Sequence, residues 1–290
     1  MTLQQGDGLA RPSAIELKDL RMSFQTRRGE VVALNGIDVT VGDQEFVALL
    51  GPSGCGKSTL LFLVAGLQLP TGGEVWCYGR RVEKPGRDRT VMFQEYALFP
   101  WRTVLGNVSI ALEGRREFSD PAAESRRALR SVGLSEFEHA YPHQLSGGMK
   151  QRTALARCLA MRPRVLLMDE PFAAVDAQTR ESLQAELLQV WARERMTVLF
   201  VTHSIEEAIY LAQRVLVMKS RPGRIKDVVA IDEPYPRDYK FRTSKLMNDL
   251  RFHIYHLLHE EDTRGSSDEV GVAGGPGPDR AVGVYDGGEQ

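Results

Sequence analysis

Nine residues decide the fold of this chain: Gly51-Pro52-Ser53-Gly54-Cys55-Gly56-Lys57-Ser58-Thr59. They follow the apolar run Phe46 to Leu50, which predicts a strand buried on both faces, and they precede the helix-compatible run Leu60 to Leu67. A glycine-rich loop between a strand and a helix directs backbone N–H groups at phosphate oxygens. We therefore predict that all nine residues bind a nucleotide, with Lys57 on its β- and γ-phosphates and Ser58 on Mg²⁺.

A second motif ends another apolar run, Val165 to Met168, which is followed by Asp169 and Glu170. In a chain that has a phosphate-binding loop, this pattern predicts that Asp169 binds Mg²⁺ and that Glu170 accepts a proton from the attacking water. The alternative is that both acids only cap the next helix. A glutamate at this position indicates hydrolysis of the nucleotide rather than transfer of its phosphate to a metabolite.

A third segment lies between these motifs: Leu145-Ser146-Gly147-Gly148-Met149-Lys150-Gln151-Arg152. With it, the chain resembles the nucleotide-binding subunit of ATP-binding cassette (ABC) transporters. The resemblance implies an α/β fold, a P-loop NTPase of the ABC ATPase type with an antiparallel β subdomain and an inserted α-helical subdomain. It also implies a homodimer that sandwiches two ATP molecules, in which Ser146, Gly147 and Gly148 contact the γ-phosphate held by the other subunit. Met149 departs from the glutamine more often found there, which implies the loss of one polar contact.

Four single residues match further positions of the family. Gln94 matches the Q-loop, which senses Mg²⁺ and water, and Asp176 matches the D-loop, which crosses the dimer interface. His203 matches the histidine that contacts the γ-phosphate, and Phe24 matches the aromatic residue that stacks on adenine. Without the other motifs, a solvated glutamine, a structural histidine and a core phenylalanine would be the ordinary interpretations of such residues.

The resemblance covers approximately residues 14 to 258. We expect an ATPase domain over 14–260 with the helical subdomain at about 97–160, and within that subdomain a helix that begins at Asp120 and Pro121 and ends at Gly133. Residues 1–13 are expected to be a flexible N-terminus. Residues 265–290 contain eight glycines and two prolines in 26 positions, which predicts a disordered tail. Five apolar residues are predicted to form one packed face of a helix near the end of the domain: Leu246, Leu250, Ile254, Leu257 and Leu258.

Two segments narrow the resemblance to one group of importers. Leu98 to Val104 with Asn107, and Arg221 to Ile225, are similar to the ATPases that serve uptake of nitrate, aliphatic sulfonates, taurine and related solutes. The implied partners are a membrane permease and, indirectly, an extracytoplasmic substrate-binding protein. The aromatic groups after Gln94 predict the permease contact, at a groove lined by Tyr96, Leu98, Phe99 and Trp101. Alternatively, Phe99 and Trp101 fill the core of the helical subdomain.

The composition limits the other possibilities. The 290 residues are 42% hydrophobic without any apolar run long enough to span a membrane, which predicts a protein that stays in the cytoplasm. The family resemblance implies that a permease holds it at the cytoplasmic face of the membrane. Lys and Arg number 37 against 38 for Asp and Glu, which argues against a dedicated nucleic-acid binder. The three cysteines show no disulfide or zinc pattern. Cys55, at a helix N-terminus, is expected to have a lowered thiol pKa, and Cys158 is expected to be a buried small hydrophobe.

Three other kinds of protein share the phosphate motifs. A DNA-repair or translation ATPase usually has a long coiled-coil insertion or two cassettes, and neither pattern occurs here. A binding module that senses ATP without hydrolysing it would not need Glu170 and His203 together. An exporter half is disfavoured because no membrane segments are fused to the cassette. The sequence therefore predicts an ATPase that uses ATP and Mg²⁺ to power import.

Overall fold

Two β-sheets and the helices packed on them form the fold, seen in a computed structural model that describes residues 13–27 and 29–260. Within these residues the strands β1 to β10 are Ser13–Thr26, Gly29–Gly42, Phe46–Leu50, Gly72–Cys77, Arg80–Arg81, Arg89–Met92, Val165–Asp169, Thr197–Thr202, Arg214–Lys219 and Arg224–Ala230. The α-helices α1 to α8 are Lys57–Ala65, Val104–Ser109, Pro121–Ser131, Gly147–Ala160, Ala177–Glu194, Ile205–Leu211, Tyr239–Arg242 and Lys245–His259. Short 3-10 helices lie at Ile110–Leu112, Ser135–Phe137 and Pro142–Gln144.

The larger sheet has the strand order β10-β9-β3-β8-β7-β6. All of its neighbouring strands pair in parallel except β10, which runs antiparallel to β9 at the edge. Because the carboxyl ends of parallel strands meet at one edge of a sheet, the segments that follow β3, β6, β7 and β8 lie side by side. Those segments contain the loop 51–56, Gln94, Glu170 and His203. The topology thus gathers the predicted site residues on one edge.

Strand β3 shows why this sheet lies at the centre of the fold. All five of its residues are fully buried. Phe46, Ala48 and Leu50 belong to one hydrophobic cluster and Val47 and Leu49 to another, as the alternation of side chains across a strand requires. A continuous apolar run is what a strand covered on both faces needs. The prediction that this strand is buried on both faces is confirmed.

The smaller sheet is antiparallel, with the order β2-β1-β4-β5. Its apolar side chains share a cluster with α1 and with one face of the larger sheet, for example Leu20, Val75 and Leu61 with Leu49. The other face of the larger sheet shares a cluster with α2, α3 and α4. The structure therefore contains the predicted α/β core, antiparallel sheet and helical segment.

Helix α3 begins and ends where the sequence predicts. Asp120 is its N-cap, and its Oδ1 accepts a hydrogen bond of 2.9 Å from the backbone N–H of Ala123. Pro121 occupies the first turn, where a missing N–H costs nothing. The helix ends at Ser131, and Gly133 follows with a φ of 69°, a backbone angle that glycine adopts without strain.

Helix α8 differs from the prediction at one residue. Ile254 is fully buried, and Leu250, Leu257 and Leu258 pack partly against the core. Leu246 was predicted to share this face, but it is 36% exposed, and Met247 is buried instead. Met247 lies seven residues before Ile254, which is two helical turns, whereas Leu246 is rotated about 100° away from that face.

The chain ends predicted to be unstructured are residues 1–13 and 265–290. Residues 1–12 and 265–290 lie outside the described residues, whereas Ser13 is the first residue of β1, so the prediction was wrong at that residue. The described chain as far as His259 forms one compact unit. Over residues 13–27 and 29–260, every helix is too short or too polar to cross a membrane.

Candidate nucleotide-binding site

The loop after β3 requires glycine at two of its positions. Gly51 lies so close to its surroundings that an added Cβ would be 2.8 Å from Cys55 Sγ and 2.9 Å from the carbonyl oxygen of Met218. Gly56, the residue before α1, has a φ of 99°, and a Cβ there would be 2.5 Å from a methyl group of Leu34. Substitution at either position would displace the backbone N–H groups that a phosphate-binding loop presents.

Lys57 places a positive charge at the centre of this loop. Its side chain is buried, and Nζ donates hydrogen bonds of 2.8 Å to the carbonyl oxygen of Gly51 and 3.0 Å to that of Pro52. Both acceptors are neutral, so these bonds fix the ammonium group without cancelling its charge. The charge can attract the phosphates of a nucleotide held over the N-terminus of α1.

Ser58 and Asp169 meet between α1 and β7. Ser58 Oγ donates a hydrogen bond of 3.0 Å to Asp169 Oδ1. Burial raises the pKa of the Asp169 carboxyl and the neighbouring Glu170 raises it further, whereas the Ser58 hydrogen bond lowers it. A hydroxyl and a carboxylate oxygen this close fit Mg²⁺, which prefers oxygen ligands and shares its shell with substrate phosphates. Gln94 is exposed two residues beyond β6, and β6 pairs with β7, so its amide lies at the same edge.

Glu170 and His203 come together from neighbouring strands. His203 Nδ1 lies 2.9 Å from Glu170 Oε2, and the backbone N–H of Glu170 donates to the carbonyl oxygen of Val201 at 3.0 Å. Glu170 has a φ of 43°, in the left-handed region that residues with a Cβ rarely adopt. Such backbone strain concentrates at functional sites because the surrounding contacts must maintain it.

Glu207 supports this pair and was not found by sequence reasoning. Its buried carboxylate accepts a hydrogen bond of 2.6 Å from Thr202 Oγ1, which itself accepts one of 3.0 Å from the Ser204 N–H. Burial raises the pKa of this carboxyl. Thr202 and Ser204 flank His203, so the network fixes the backbone that carries the histidine. The signal in the sequence is Ser204 followed three residues later by Glu207, a capping-box spacing at the start of α6.

The segments that contain Ser146 and Asp176 form a second surface. Ser146 caps α4 by accepting a hydrogen bond of 3.3 Å from the Met149 N–H, and Asp176 caps α5 by accepting one of 3.0 Å from the Thr179 N–H. Hydrogen bonds to Thr179 lower the pKa of the Asp176 carboxyl. A Cβ added to Gly148 would lie 2.9 Å from Thr179 Cγ2, so the two helix starts touch. Among the described residues, no hydrogen bond links this surface to the loop 51–59.

Phe24 lies near the end of β1, opposite Val31 of β2. Its side chain is 37% exposed, and Val31 and Val32 beside it are more exposed still. Phe24 and Val31 are paired and share one face of the sheet, whereas Val32 lies on the other face. Phe24 and Val31 together form an exposed apolar surface to which a flat ring could bind.

The structure contradicts the prediction made for Cys55 and confirms the one made for Cys158. Cys55 is only 1% exposed, and burial raises the pKa of its thiol more than the neighbouring Lys57 lowers it. The expectation of a lowered pKa is therefore wrong, because the side chain points into the core while only its backbone belongs to the loop. Cys158 is the buried hydrophobe that was predicted, and burial raises its pKa to about 12.

We expect Cys55 to react slowly with thiol reagents in the folded protein. A raised pKa keeps the thiol protonated near neutral pH, and only the thiolate is nucleophilic. Labelling should therefore accelerate only when the pH exceeds the pKa of an ordinary thiol. Maleimide labelling followed by peptide mapping measures this rate. An engineered cysteine at the exposed position of Ser119 provides the control for rapid labelling. Fast modification of native Cys55 that MgATP suppresses would contradict the assignment.

Comparisons with known proteins define the class of this site. A family model described as ABC transporter matches residues 34–173. An uncharacterized ABC transporter ATP-binding protein of Methanocaldococcus jannaschii is 50% identical over 248 residues, which are 85% of this chain and 92% of that protein. The chain belongs to the ABC transporter family. The predicted family and α/β fold class are confirmed.

A second relative and a solved structure give the type of subunit. The nitrate import ATP-binding protein NrtD of Synechocystis sp. is 47% identical over 246 residues, 83% of this chain and 91% of that protein. A dimeric structure of an ATP-binding cassette in a post-hydrolysis state with ADP and Pi aligns with a TM-score of 0.66 at 28% identity, covering 76% of this chain and all of that chain. This chain is an ATP-binding subunit of the importer type, and it hydrolyses ATP. The alternatives of a repair or translation ATPase and of a module that only senses ATP are excluded.

Proposed function

We propose that this subunit dimerises around two MgATP molecules and drives uptake of nitrate, an aliphatic sulfonate, taurine or a similar small solute. The solute would arrive from an extracytoplasmic binding protein and pass through a separate permease, which holds the subunit at the cytoplasmic face of the membrane. The 47% identity to a nitrate import protein supports this choice of solute. We also propose that residues 14–260 form the ATPase domain, with the helical subdomain at about 97–160.

The residues at the carboxyl edge of the larger sheet would have separate roles in ATP hydrolysis. Lys57 neutralises charge on the β- and γ-phosphates, and Glu170 accepts the proton of the attacking water. His203 holds Glu170 through Nδ1 and keeps Nε2 for the γ-phosphate. Ser58, Asp169 and Gln94 would hold Mg²⁺, which offsets phosphate charge when it is bound.

The second surface serves the ATP of the partner subunit. Ser146, Gly147 and Gly148 start α4, and Asp176 caps α5 beside them, so N–H groups and side chains from both helix starts share one surface. Adenine would stack on Phe24. The dimeric cassette with ADP and Pi supports an arrangement of two subunits.

The observation that supports a permease contact is the exposed aromatic side chain of Trp101. Trp101 is 71% exposed, which argues against its filling the helical subdomain, and the half-buried Phe99 ring lies 5.4 Å from it. Below them, the buried Asn107 accepts a hydrogen bond from the Phe99 N–H at 2.7 Å and donates to the carbonyl oxygens of Phe99, Arg102 and Thr103. Asn107 thus fixes the backbone on both sides of Trp101, and a large exposed apolar side chain on a fixed backbone is typical of a protein interface.

Replacing Trp101 by Ala is the experiment that tests this function. We expect the isolated subunit to keep its ATPase rate, because among the described residues Trp101 has a ring contact with Phe99 and none with the phosphate-binding residues. Copurification with the permease and solute uptake should fall by about tenfold or more, as removal of an interface anchor costs at least about 2 kcal/mol. The measurement is the uptake of isotope-labelled nitrate, taurine and an alkanesulfonate by cells that carry only the variant.

The control is Tyr239→Ala, which removes an equally exposed aromatic side chain elsewhere. Normal uptake with Trp101→Ala, or an equal loss with Tyr239→Ala, would show that Trp101 is not a docking residue. Absence of uptake of all three solutes by the unaltered protein would refute the proposed solute class.

A further inference from the structure

A cleft of about 610 Å³ opens at the end of the central sheet opposite the nucleotide site. Its walls include Arg89, the first residue of β6, and Arg164, the residue before β7. Since both strands run parallel, their amino ends lie on the edge away from Gln94 and Glu170. A cleft of this volume lies within the range of sites that hold small molecules.

Basic side chains dominate the walls of this cleft. The walls contain six basic side chains, those of Arg80, Arg81, Lys84, Arg87, Arg89 and Arg164. The walls include two acids, Glu83 and Asp88. Three of the arginines have carboxylate partners within 3.3 Å, which are Glu74 for Arg81, Glu117 for Arg87 and Asp88 for Arg89.

The other three cations have no such partner among residues 13–27 and 29–260. Arg80, Lys84 and Arg164 form no ion pair there, and Glu83 is the one wall acid that likewise has none. Three uncompensated cations against one acid leave an excess of positive charge in a concave site, where it attracts anions more strongly than on a flat surface.

Arg164 is held in place by contacts that leave its charge free. Its guanidinium carbon lies 3.2 Å from the centre of the Tyr78 ring, and the Tyr78 hydroxyl donates a hydrogen bond of 2.5 Å to Asp43. The Arg164 backbone N–H donates to the carbonyl oxygen of Asp88 at 2.8 Å. A guanidinium fixed by stacking keeps its N–H edge available for a bidentate contact with a carboxylate or phosphate.

Three elements run from this cleft to the nucleotide site. Helix α1 starts at Lys57 and ends at the cleft, where Arg89 Nε donates to the Ala65 carbonyl oxygen at 3.2 Å. The loop before β6 packs so closely on the end of α1 that a Cβ on Gly66 would be 2.4 Å from the Lys84 carbonyl oxygen. Strand β6 leads from Arg89 towards Gln94, and β7 leads from Arg164 to Asp169. A ligand that draws the walls together would therefore act on all three.

We propose that this cleft binds a small, multiply charged anion, a polycarboxylate or a phosphorylated metabolite, as an effector of the ATPase. Arg164, Arg80 and Lys84 supply the charge for the ligand, and the buried Arg89, paired with Asp88, forms the base. The ligand connects the start of β7 with the loop that lies on the end of α1.

Calorimetry with two probes tests binding: citrate for polycarboxylates and inorganic pyrophosphate for phosphates. The titration uses Lys57→Ala without Mg²⁺, so that neither the nucleotide loop nor the metal binds the probe. We expect saturable binding of at least one probe, weakened about tenfold by Arg164→Ala, which corresponds to about 1.4 kcal/mol. Arg130→Ala, which removes an exposed arginine of α3, should leave it unchanged. Binding of one probe alone would identify the ligand chemistry.

A variant with the opposite effect separates lost binding from misfolding. Glu83→Gln removes the unpaired acid of the cleft and should tighten binding of the same probe. Failure of both probes to bind at millimolar concentration, or equal affinity in Arg164→Ala, would overturn the proposed site.

The effector role has its own measurement. Whichever probe binds the cleft should change the affinity for a fluorescent ATP analogue by about fivefold more in the unaltered protein than in Arg164→Ala, because a bound effector and the nucleotide alter each other's affinity by the same factor. An equal effect of that probe on the two proteins, or no effect on either, would refute the effector role.

Discussion

Replacement of Glu170 by Gln is expected to stop ATP turnover while ATP binding persists. The glutamine keeps the shape of the side chain but cannot accept the proton of the attacking water. Loss of a positioned general base costs about 10²- to 10⁴-fold in rate. Because Lys57, Ser58 and Asp169 remain in place, the nucleotide should still bind, and the unhydrolysed ATP should hold two subunits together. Steady-state ATPase assays and size-exclusion chromatography with MgATP measure the two effects.

The matched control is Glu181→Gln, which makes the same change on the exposed face of α5. It should hydrolyse ATP normally and remain monomeric under the conditions that trap the Glu170 variant. A Glu170→Gln protein that turns over at the normal rate would show that another group activates the water.

Replacement of Lys57 by Ala is expected to abolish ATP binding. The buried ammonium of Lys57 is held by two neutral carbonyl groups, so its charge is available to the phosphates, and no other cation occupies the centre of this loop among the described residues. We expect the dissociation constant for ATP to rise by about a hundredfold or more, which corresponds to about 2.7 kcal/mol. Titration with a fluorescent ATP analogue measures it.

Lys240→Ala removes an exposed lysine far along the chain and serves as the control. Thermal unfolding without nucleotide checks that the Lys57 variant retains its fold. Binding of ATP by folded Lys57→Ala with unchanged affinity would refute the role of the lysine.

Patterns local in the sequence predicted the central strand, the phosphate-binding loop and helix α3, and the family resemblance predicted the two subdomains together with Gln94 and His203. The run Phe46 to Leu50 is apolar without interruption, and the helix α3 is marked at both ends by Asp120 and Gly133. Such signals depend on neighbours a few residues away, so they are legible before any tertiary contact is known. Glu170 and His203 were predicted from motifs, and the structure brings their side chains within 2.9 Å.

Features that depend on the direction of a side chain were not predictable in this way. The thiol of Cys55 turns into the core, which reverses the direction of its pKa shift, and that orientation depends on packing with Gly51 and the β-strands below it. The stacking of Arg164 on Tyr78 joins positions far apart in the chain. No sequence motif predicts either arrangement, because each depends on how separate strands, helices and loops pack against one another.

Arg157 joins two parts of the molecule that belong to different ATP molecules in the proposed dimer. Its guanidinium donates to the carbonyl oxygens of Tyr96 and Ala97, directly after Gln94, at 2.8 and 2.7 Å. The same arginine belongs to α4, the helix that Ser146 caps. In the proposed dimer, a shift of the Gln94 segment at one nucleotide would be transmitted through Arg157 and α4 to the surface that meets the other nucleotide. The two ATP molecules would then act as a pair, and their joint occupancy would set the timing of the transport cycle.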